Sequence, residues 1–288
     1  FFQAEDGIRD PLWSRGLGDV YKRQADMYGA RGGSEEQLGK ILGQKRKDIV
    51  LASKFGMAMS DDGVKIGASR RYIMSAVEDS LTRLKTDWLD LYQLHQQDPL
   101  TPIEETLRAL EDLVTQGKVR YIGCSNLTSW QVVESQWTSK SSHLSRFVSC
   151  QDEYNILNRA IENELIPAMQ KYGCGLLPYF PLASGLLTGK YQSNKMPEGA
   201  RLTDMPKFAN RIYVTNQNFS IVEKLNSFAK EHGHTLLELA FSWMATRPTV
   251  ASIIAGATKP EQIDANVNAI GWEMTPEQVS MVDNISQK

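Results

Sequence analysis

Residues 88–122 decide the fold, and they read WLDLYQLHQQDPLTPIEETLRALEDLVTQGKVRYI. The apolar run Trp88–Leu94 predicts a buried strand. Thr101 is then the capping residue of a predicted helix, and Pro102 occupies the first helical position. Glu104 is placed to bond back to the cap, which completes a capping box. Gly117 ends the helix, and Val119–Ile122 forms the next apolar run. A strand, a helix and a second strand in this order predict a parallel βαβ unit.

The same alternation continues on both sides of this unit. Four further short apolar runs predict strands, with helical periodicity between them: Ile49–Ser53, Phe147–Cys150, Gly175–Pro178 and Ser252–Ile254. Such a pattern is typical of an open doubly wound sheet or a closed barrel. An open sheet that binds a dinucleotide normally carries a G-x-G-x-x-G turn after its first strand. The segment 16–21 begins like one but lacks the last glycine, so the sequence favours an α/β fold of the (β/α)8 TIM-barrel type.

Composition excludes several classes of protein. The chain has 288 residues, 32 Lys or Arg against 34 Asp or Glu, a formal charge of -2 and a hydrophobic fraction of 41%. A near-neutral balance lacks the basic footprint of a nucleic-acid-binding protein. No apolar run is long enough to predict a membrane span. The three cysteines are widely spaced, which predicts neither a disulfide framework nor a metal site and suits a reducing, cytoplasmic location.

Polar residues follow the predicted strands, where a barrel places its active residues. Each has an ordinary alternative, since charged residues often flank strands and Asn and Ser often form turns. The residues in these positions are Lys54, His95, Ser125, Asn126, Gln151 and Asp152.

Seven motifs occur in order along the chain. They are Asp26-Met27-Tyr28-Gly29 with Ser34–Gly39, Ala52–Gly56, Asp90–His95, Gly117–Asn126, Gln151–Asn155, Phe180–Tyr191 and Gly256–Gln262. Together they resemble the aldo-keto reductase superfamily over residues 25–288. The resemblance is strongest to the bacterial branch that is also similar to potassium-channel β subunits.

This resemblance implies a (β/α)8 barrel that binds NADP(H) and transfers a hydride to a small aldehyde or ketone. Tyr28 would be the general acid, Lys54 the neighbouring cation and His95 the donor that orients the carbonyl oxygen. The pKa of a free tyrosine is near 10, and a nearby cation favours release of its proton. The alternative is a cofactor-binding regulatory or redox-sensing subunit with little turnover. Substrate identity and oligomeric state cannot be deduced from the sequence.

The resemblance also assigns residues to the cofactor. The nicotinamide carboxamide would be held by Ser125, Asn126 and Gln151, with Tyr179 stacked on the ring. The pyrophosphate loop would include Pro181, Leu182, Ser184, Gly185 and Lys190, and the adenosine end would contact Gly256, Thr258, Lys259, Gln262 and Asn266. Many relatives have arginine where Gln262 stands, so Lys259 is expected to supply the charge that selects NADPH over NADH.

The beginning of the chain departs from the family pattern. Arg23 occupies the position where the family has an aspartate that pairs with the catalytic lysine. Residues 1–24 resemble a translated sequencing adapter and are expected to be a non-native tail. The expectation is therefore an incomplete barrel over residues 25–288, without the first strand-helix unit and most of the second strand. On that reading the chain as written is expected to be inactive, or a fragment with no function of its own.

Overall fold

A six-stranded parallel sheet forms the framework of the protein. The structure, a computed structural model, describes residues 20–23, 25–191, 196–198, 200–204, 213–257 and 259–287, with only the backbone at 20–23. The strands are β1 (Val20–Arg23), β2 (Ile49–Phe55), β3 (Leu89–Leu94), β4 (Val119–Ser125), β5 (Phe147–Gln151) and β6 (Gly175–Leu176). Their order in the sheet is their order in the chain. The predicted α/β class is confirmed.

Helices separate successive strands and then follow the sheet. They are α1 (Tyr28–Leu42), α2 (Arg70–Leu84), α3 (Ile103–Thr115), α4 (Ser129–Ser141), α5 (Leu165–Tyr172), α6 (Arg201–Asp204), α7 (Asn216–Glu231), α8 (Leu236–Ala245), α9 (Pro260–Asn268) and α10 (Pro276–Ser286). The chain divides into two compact units. The first comprises residues 1–152 and 163–176, and the second comprises residues 153–162 and 177–288.

Apolar periodicity explains how the helices pack. In α3, Leu107, Leu110 and Leu113 recur on one face and are fully buried, as helical spacing requires. In β2, Leu51 and Phe55 are also fully buried. None of the helices in the described part of the chain is both long enough and apolar enough to cross a bilayer.

Two local predictions are wrong. Helix α3 begins at Ile103, not after a capping Thr101, because the Thr101 hydroxyl donates instead to Oδ2 of Asp98 at 2.7 Å. That carboxylate also accepts the backbone N–H groups of Ala68 and Leu100, which holds the loop together. The predicted strand Ser252–Ile254 does not form. The N–H of Ile254 donates to Pro178 O at 3.0 Å, but this single hydrogen bond does not continue into a strand ladder. The capping box predicted at Thr275 is confirmed.

Two elements near the start of the chain were not predicted. Val20–Arg23 forms β1, which pairs in parallel with β2 and places Arg23 opposite Ala52. The expectation that no strand precedes Ala25 is therefore wrong. Helix α1 was the other element that the sequence analysis did not predict. Its first turn is irregular, because the residues from Gly29 to Gly32 have positive φ angles.

A buried carboxylate ties together the amino ends of three strands. Oδ2 of Asp90 accepts hydrogen bonds from Nη1 of Arg46 and from the backbone N–H of Leu51, both at 2.9 Å. Its other oxygen accepts Nη1 of Arg120 at 2.8 Å and the Trp88 indole N–H at 3.3 Å. The Arg46 guanidinium also lies 4.2 Å from the centre of the Trp88 ring. This cluster stabilises the end of the sheet opposite the carboxyl ends of the strands.

Candidate active site

The carboxyl ends of four neighbouring strands bring the predicted polar residues together. Lys54 lies near the end of β2, His95 directly follows β3, and Ser125 and Gln151 end β4 and β5. The backbone N–H of His95 donates to Phe55 O at 2.8 Å, and Ser125 stands in register with Gln151. Parallel strands in register therefore place these side chains along one edge of the sheet, as expected for a barrel enzyme.

The three predicted catalytic residues converge at this edge. The rings of Tyr28 and His95 are 5.8 Å apart at an interplanar angle of 89°. Nζ of Lys54 lies 4.9 Å from the centre of the Tyr28 ring, and Lys54 is fully buried. Tyr28 itself is half-buried, so its phenol stays accessible beside a desolvated cation. Such an arrangement can deliver a proton to a substrate oxygen.

The polar residues of β4 and β5 form a connected hydrogen-bond network. Asn126 adopts a positive φ of 57°, which directs its side-chain amide back to His95 O and to the Ser125 hydroxyl, each at 3.0 Å. The Ser125 hydroxyl donates to the backbone oxygen of Gln151 at 2.8 Å. Oε1 of Gln151 is buried with no hydrogen-bond partner among the described residues. A buried acceptor of this kind indicates a polar group bound from outside the chain.

In the second unit, the loop Pro181–Lys190 contains three consecutive residues with positive φ angles. Ala183, Ser184 and Gly185 have φ angles of 48°, 57° and 98° in succession. The hydroxyl oxygen of Ser184 is buried and has no partner in the described part of the chain. A Cβ atom at Gly185 would lie 3.4 Å from Cε of Lys190, so glycine keeps this approach open. The N–H groups of Ala183 and Gly185 already donate within the loop, to Phe180 O at 2.9 Å and to Leu182 O at 2.8 Å. The Ser184 hydroxyl is therefore the candidate group of this turn for contact with a ligand.

The residues predicted to lie around Tyr179 and α9 also belong to the second unit. Tyr179 is half-buried, and its ring contacts that of Phe180 edge-on at 5.2 Å. Lys259 is the N-cap of α9, and Gln262 N donates to its backbone oxygen at 3.1 Å. The start of a helix favours an anion. Gly256, Lys259 and Gln262 are exposed and Asn266 is half-buried, while Thr258 lies outside the described residues.

Comparison with known proteins decides the family. The sequence profile of the Aldo/keto reductase family matches residues 22–287. The chain belongs to the aldo/keto reductase family. Among curated relatives, this aldo/keto reductase is 35% identical to a probable voltage-gated potassium channel subunit beta of Oryza sativa subsp. japonica, over 95% of this chain and 85% of the relative. It is 34% identical to an aldo-keto reductase of Bacillus subtilis, over 91% of this chain and 77% of the relative.

A solved structure agrees with this assignment. The holo form of an aldo-keto reductase from Bacillus halodurans matches with a TM-score of 0.76 and 31% identity, covering 93% of this chain and 82% of that one. The likeness confirms the predicted (β/α)8 barrel class. Membership of the aldo/keto reductase family makes the protein an oxidoreductase and implies a nicotinamide cofactor.

Two buried carboxyls in this aldo/keto reductase were named in the sequence analysis only by their position and were given no role. Burial raises the pKa of Asp152 to about 7, although a backbone hydrogen bond from Asn126 partly opposes the shift. Burial, followed by the negative charge of Glu35, also raises the pKa of Asp26 to about 7. The only signal in the sequence was their position, since Asp152 follows Gln151 and Asp26 precedes Tyr28 by two residues.

Replacing Asp152 by Asn should flatten the dependence of stability on pH. The folded pKa is about 7 and the ordinary value is 3.8, so the unfolded state loses its proton first. The contribution of the Asp152 carboxyl to the free energy of unfolding is therefore fully present below pH 4 and is lost as the pH rises towards 7. We expect the free energy of unfolding in urea to fall more between pH 5 and pH 8 in the original protein than in Asp152→Asn. Equal slopes would contradict this, and Asp264→Asn on the exposed face of α9 is the control.

Proposed function

We propose that the protein reduces small aldehydes or ketones to alcohols with NADPH. The observation that carries this proposal is the convergence of Tyr28, buried Lys54 and His95 at the carboxyl ends of the strands. Three groups of complementary chemistry meet there beside an accessible face of the phenol. The other end of the sheet carries the Asp90 cluster, in which both carboxylate oxygens of Asp90 already accept hydrogen bonds from arginines.

Each unit by itself carries residues that suit one part of a nicotinamide dinucleotide. The unpartnered Oε1 of Gln151 suits the N–H groups of a carboxamide. In the second unit, the buried Ser184 hydroxyl has no partner among the described residues and suits an oxygen of the pyrophosphate. When bound, this cofactor would supply the hydride for carbonyl reduction.

The chain's own residues would handle the charge that hydride transfer creates. As negative charge develops on the carbonyl oxygen, the Tyr28 hydroxyl donates its proton to that oxygen. Lys54 stabilises the phenolate left on Tyr28, and its effect is strong because the ammonium is desolvated. The His95 ring donates a hydrogen bond that orients the carbonyl group, and Asn126 fixes the His95 backbone from the other side. After the alcohol leaves, the phenol regains its proton from water.

The proposal is tested by following NADPH consumption with a panel of aromatic and aliphatic aldehydes. The sequence predicts an inactive chain, whereas the convergence of Tyr28, Lys54 and His95 leads us to expect turnover with at least one aldehyde. We also expect Arg23→Asp to raise kcat, because it places at the end of β1 the carboxylate that the family pattern has there. Arg71→Asp on α2 makes the same change of charge away from the site and should not raise kcat. Cofactor binding without turnover in both the original protein and Arg23→Asp would refute a reductase function.

Cofactor preference provides a further test. Lys259 is the exposed cation at the start of α9, so we expect Lys259→Met to raise the KM for NADPH by roughly tenfold while leaving that for NADH unchanged. Lys230→Met, in the last turn of α7, is the matched control. Equal KM values of the original protein for NADPH and NADH would overturn the preference for NADPH.

The second candidate function is a cofactor-binding regulatory subunit. It is favoured by the names of relatives from Oryza sativa and Arabidopsis thaliana, each a probable voltage-gated potassium channel subunit beta. Such a protein would bind NADPH tightly and turn over slowly if at all. A dissociation constant measured by cofactor fluorescence, set beside kcat, distinguishes this function from a reductase.

A further inference from the structure

Asp26 is a carboxyl group buried beside the catalytic residues but outside their hydrogen-bond network. It is 1% exposed, and Oδ2 accepts the Tyr72 hydroxyl of α2 at 3.3 Å. Its other oxygen has no hydrogen-bond partner among the described residues. The titratable and charged groups that surround it are Glu35 of α1, Tyr72 and Arg83 of α2, and Tyr92 of β3.

Arg83, the one cation among these groups, is already paired with Glu35. Nε of Arg83 donates to Oε2 of Glu35 at 2.7 Å, and Ser53 donates to the other oxygen of Glu35. Glu35 is fully buried, so its charge acts on Asp26 with little screening. Burial and this neighbouring charge together raise the pKa of Asp26 to about 7. Asp26 therefore carries its proton over much of the range below neutral pH.

The backbone of Asp26 connects two catalytic residues. Its N–H donates to Lys54 O at 3.1 Å, which joins the turn to β2. Tyr28 follows two residues later, and its own N–H donates to Ala25 O at 3.1 Å, which closes the turn. The position of the Tyr28 phenol relative to the Lys54 ammonium thus depends on the turn at residues 25–28.

We propose that Asp26 is a positioning residue whose carboxyl, held by Tyr72, keeps the turn that carries Tyr28 closed against Lys54. Opening the turn would release Asp26 to water, where its pKa returns towards the ordinary value of 3.8. By linkage, opening becomes easier as the pH rises from about 4 to about 7 and changes no further above that range. The catalytic part of this proposal rests on the proposed reductase function, whereas the structural part does not.

Hydrogen exchange tests the structural part without any substrate. In the original protein, the opening constant obtained from the amides of residues 26 and 28, after correction for intrinsic exchange, should rise by up to tenfold per pH unit from pH 5 to pH 7. Asp26→Asn should remove this rise, because a neutral amide replaces the carboxyl. Asp152→Asn, which removes the other carboxyl with a pKa near 7, should leave it unchanged. An identical rise in Asp26→Asn would overturn the proposal.

Kinetics test the catalytic part. Tyr72→Phe and Asp26→Ala should lower kcat by about tenfold or more with little change in KM. In the original protein kcat should fall as the pH rises from about 5 to about 7, the range in which opening becomes easier. Asp26→Asn should keep the original kcat and abolish this fall. Tyr172→Phe on α5 is the matched control for loss of a phenol. Unchanged kcat in Tyr72→Phe and in Asp26→Ala would overturn the catalytic role. If Asp26→Ala does not fold, Tyr72→Phe and Asp26→Asn still decide it. If neither the original protein nor Arg23→Asp reduces a carbonyl compound, the proposed function fails, and hydrogen exchange alone decides the role of Asp26.

Discussion

Tyr28→Phe should lower kcat for carbonyl reduction by about 10²–10⁴-fold, the usual contribution of a positioned general acid. The substitution removes one oxygen and leaves the ring that contacts His95 and lies beside the Lys54 ammonium. The packing of the site is therefore preserved, while the proton that must reach the developing alkoxide is lost. The measurement is kcat with NADPH and an aldehyde, in the original chain and in the Arg23→Asp background.

Cofactor affinity provides the control for this variant. The residues that fit the carboxamide and pyrophosphate do not include Tyr28, so the dissociation constant for NADPH should change by less than about twofold. Tyr172→Phe should behave like the original protein in both assays. If Tyr28→Phe keeps more than about a tenth of the original kcat, Tyr28 is not the general acid and the mechanism proposed above is wrong.

Asp90→Ala should lower the free energy of unfolding by about 3–5 kcal/mol. The change leaves the guanidinium of Arg46, whose side chain is only 8% exposed, without its carboxylate, and it removes the acceptor of the Leu51 N–H. An uncompensated buried charge is much more costly than the loss of an exposed ion pair. Urea unfolding at pH 7 gives the value.

Two further variants separate the buried contribution from the exposed one. Asp90→Asn keeps an acceptor oxygen and should be less destabilising than Asp90→Ala. Arg120→Ala removes only the partner with a side chain that is 58% exposed, and it should cost less than about 1 kcal/mol. Equal losses from Asp90→Ala and Arg120→Ala would show that the buried Arg46 is not what makes Asp90 important.

The sheet and the grouping of polar residues at its edge could be predicted because each depends on local pattern. Short apolar runs separated by helical periodicity specify parallel strands, and parallel strands align their carboxyl ends. Lys54, His95, Ser125 and Gln151 therefore lie together because each follows or ends a strand. Their roles could not be derived from position alone and came from the resemblance to a family.

The remaining features depend on contacts between segments distant in the sequence. Thr101 has the sequence of a cap, yet it donates to Asp98, whose carboxylate also binds the loop residue Ala68. Cys124 and Cys150 are widely spaced in the chain, but the register of β4 and β5 places their sulfur atoms 3.6 Å apart. The burial of Asp26 is likewise set by helices that pack over it, and no pattern around residue 26 encodes it.

The order of the strands bears on how the chain acquires its structure. Each strand from β2 to β6 pairs with the strand that immediately precedes it in the chain, and each pairing closes a loop of only a few tens of residues. Short loops cost less chain entropy to close than long ones. During synthesis on a ribosome, each new strand can therefore pair with the strand made before it as soon as it emerges. The sheet can form strand by strand while the rest of the chain is still being synthesised.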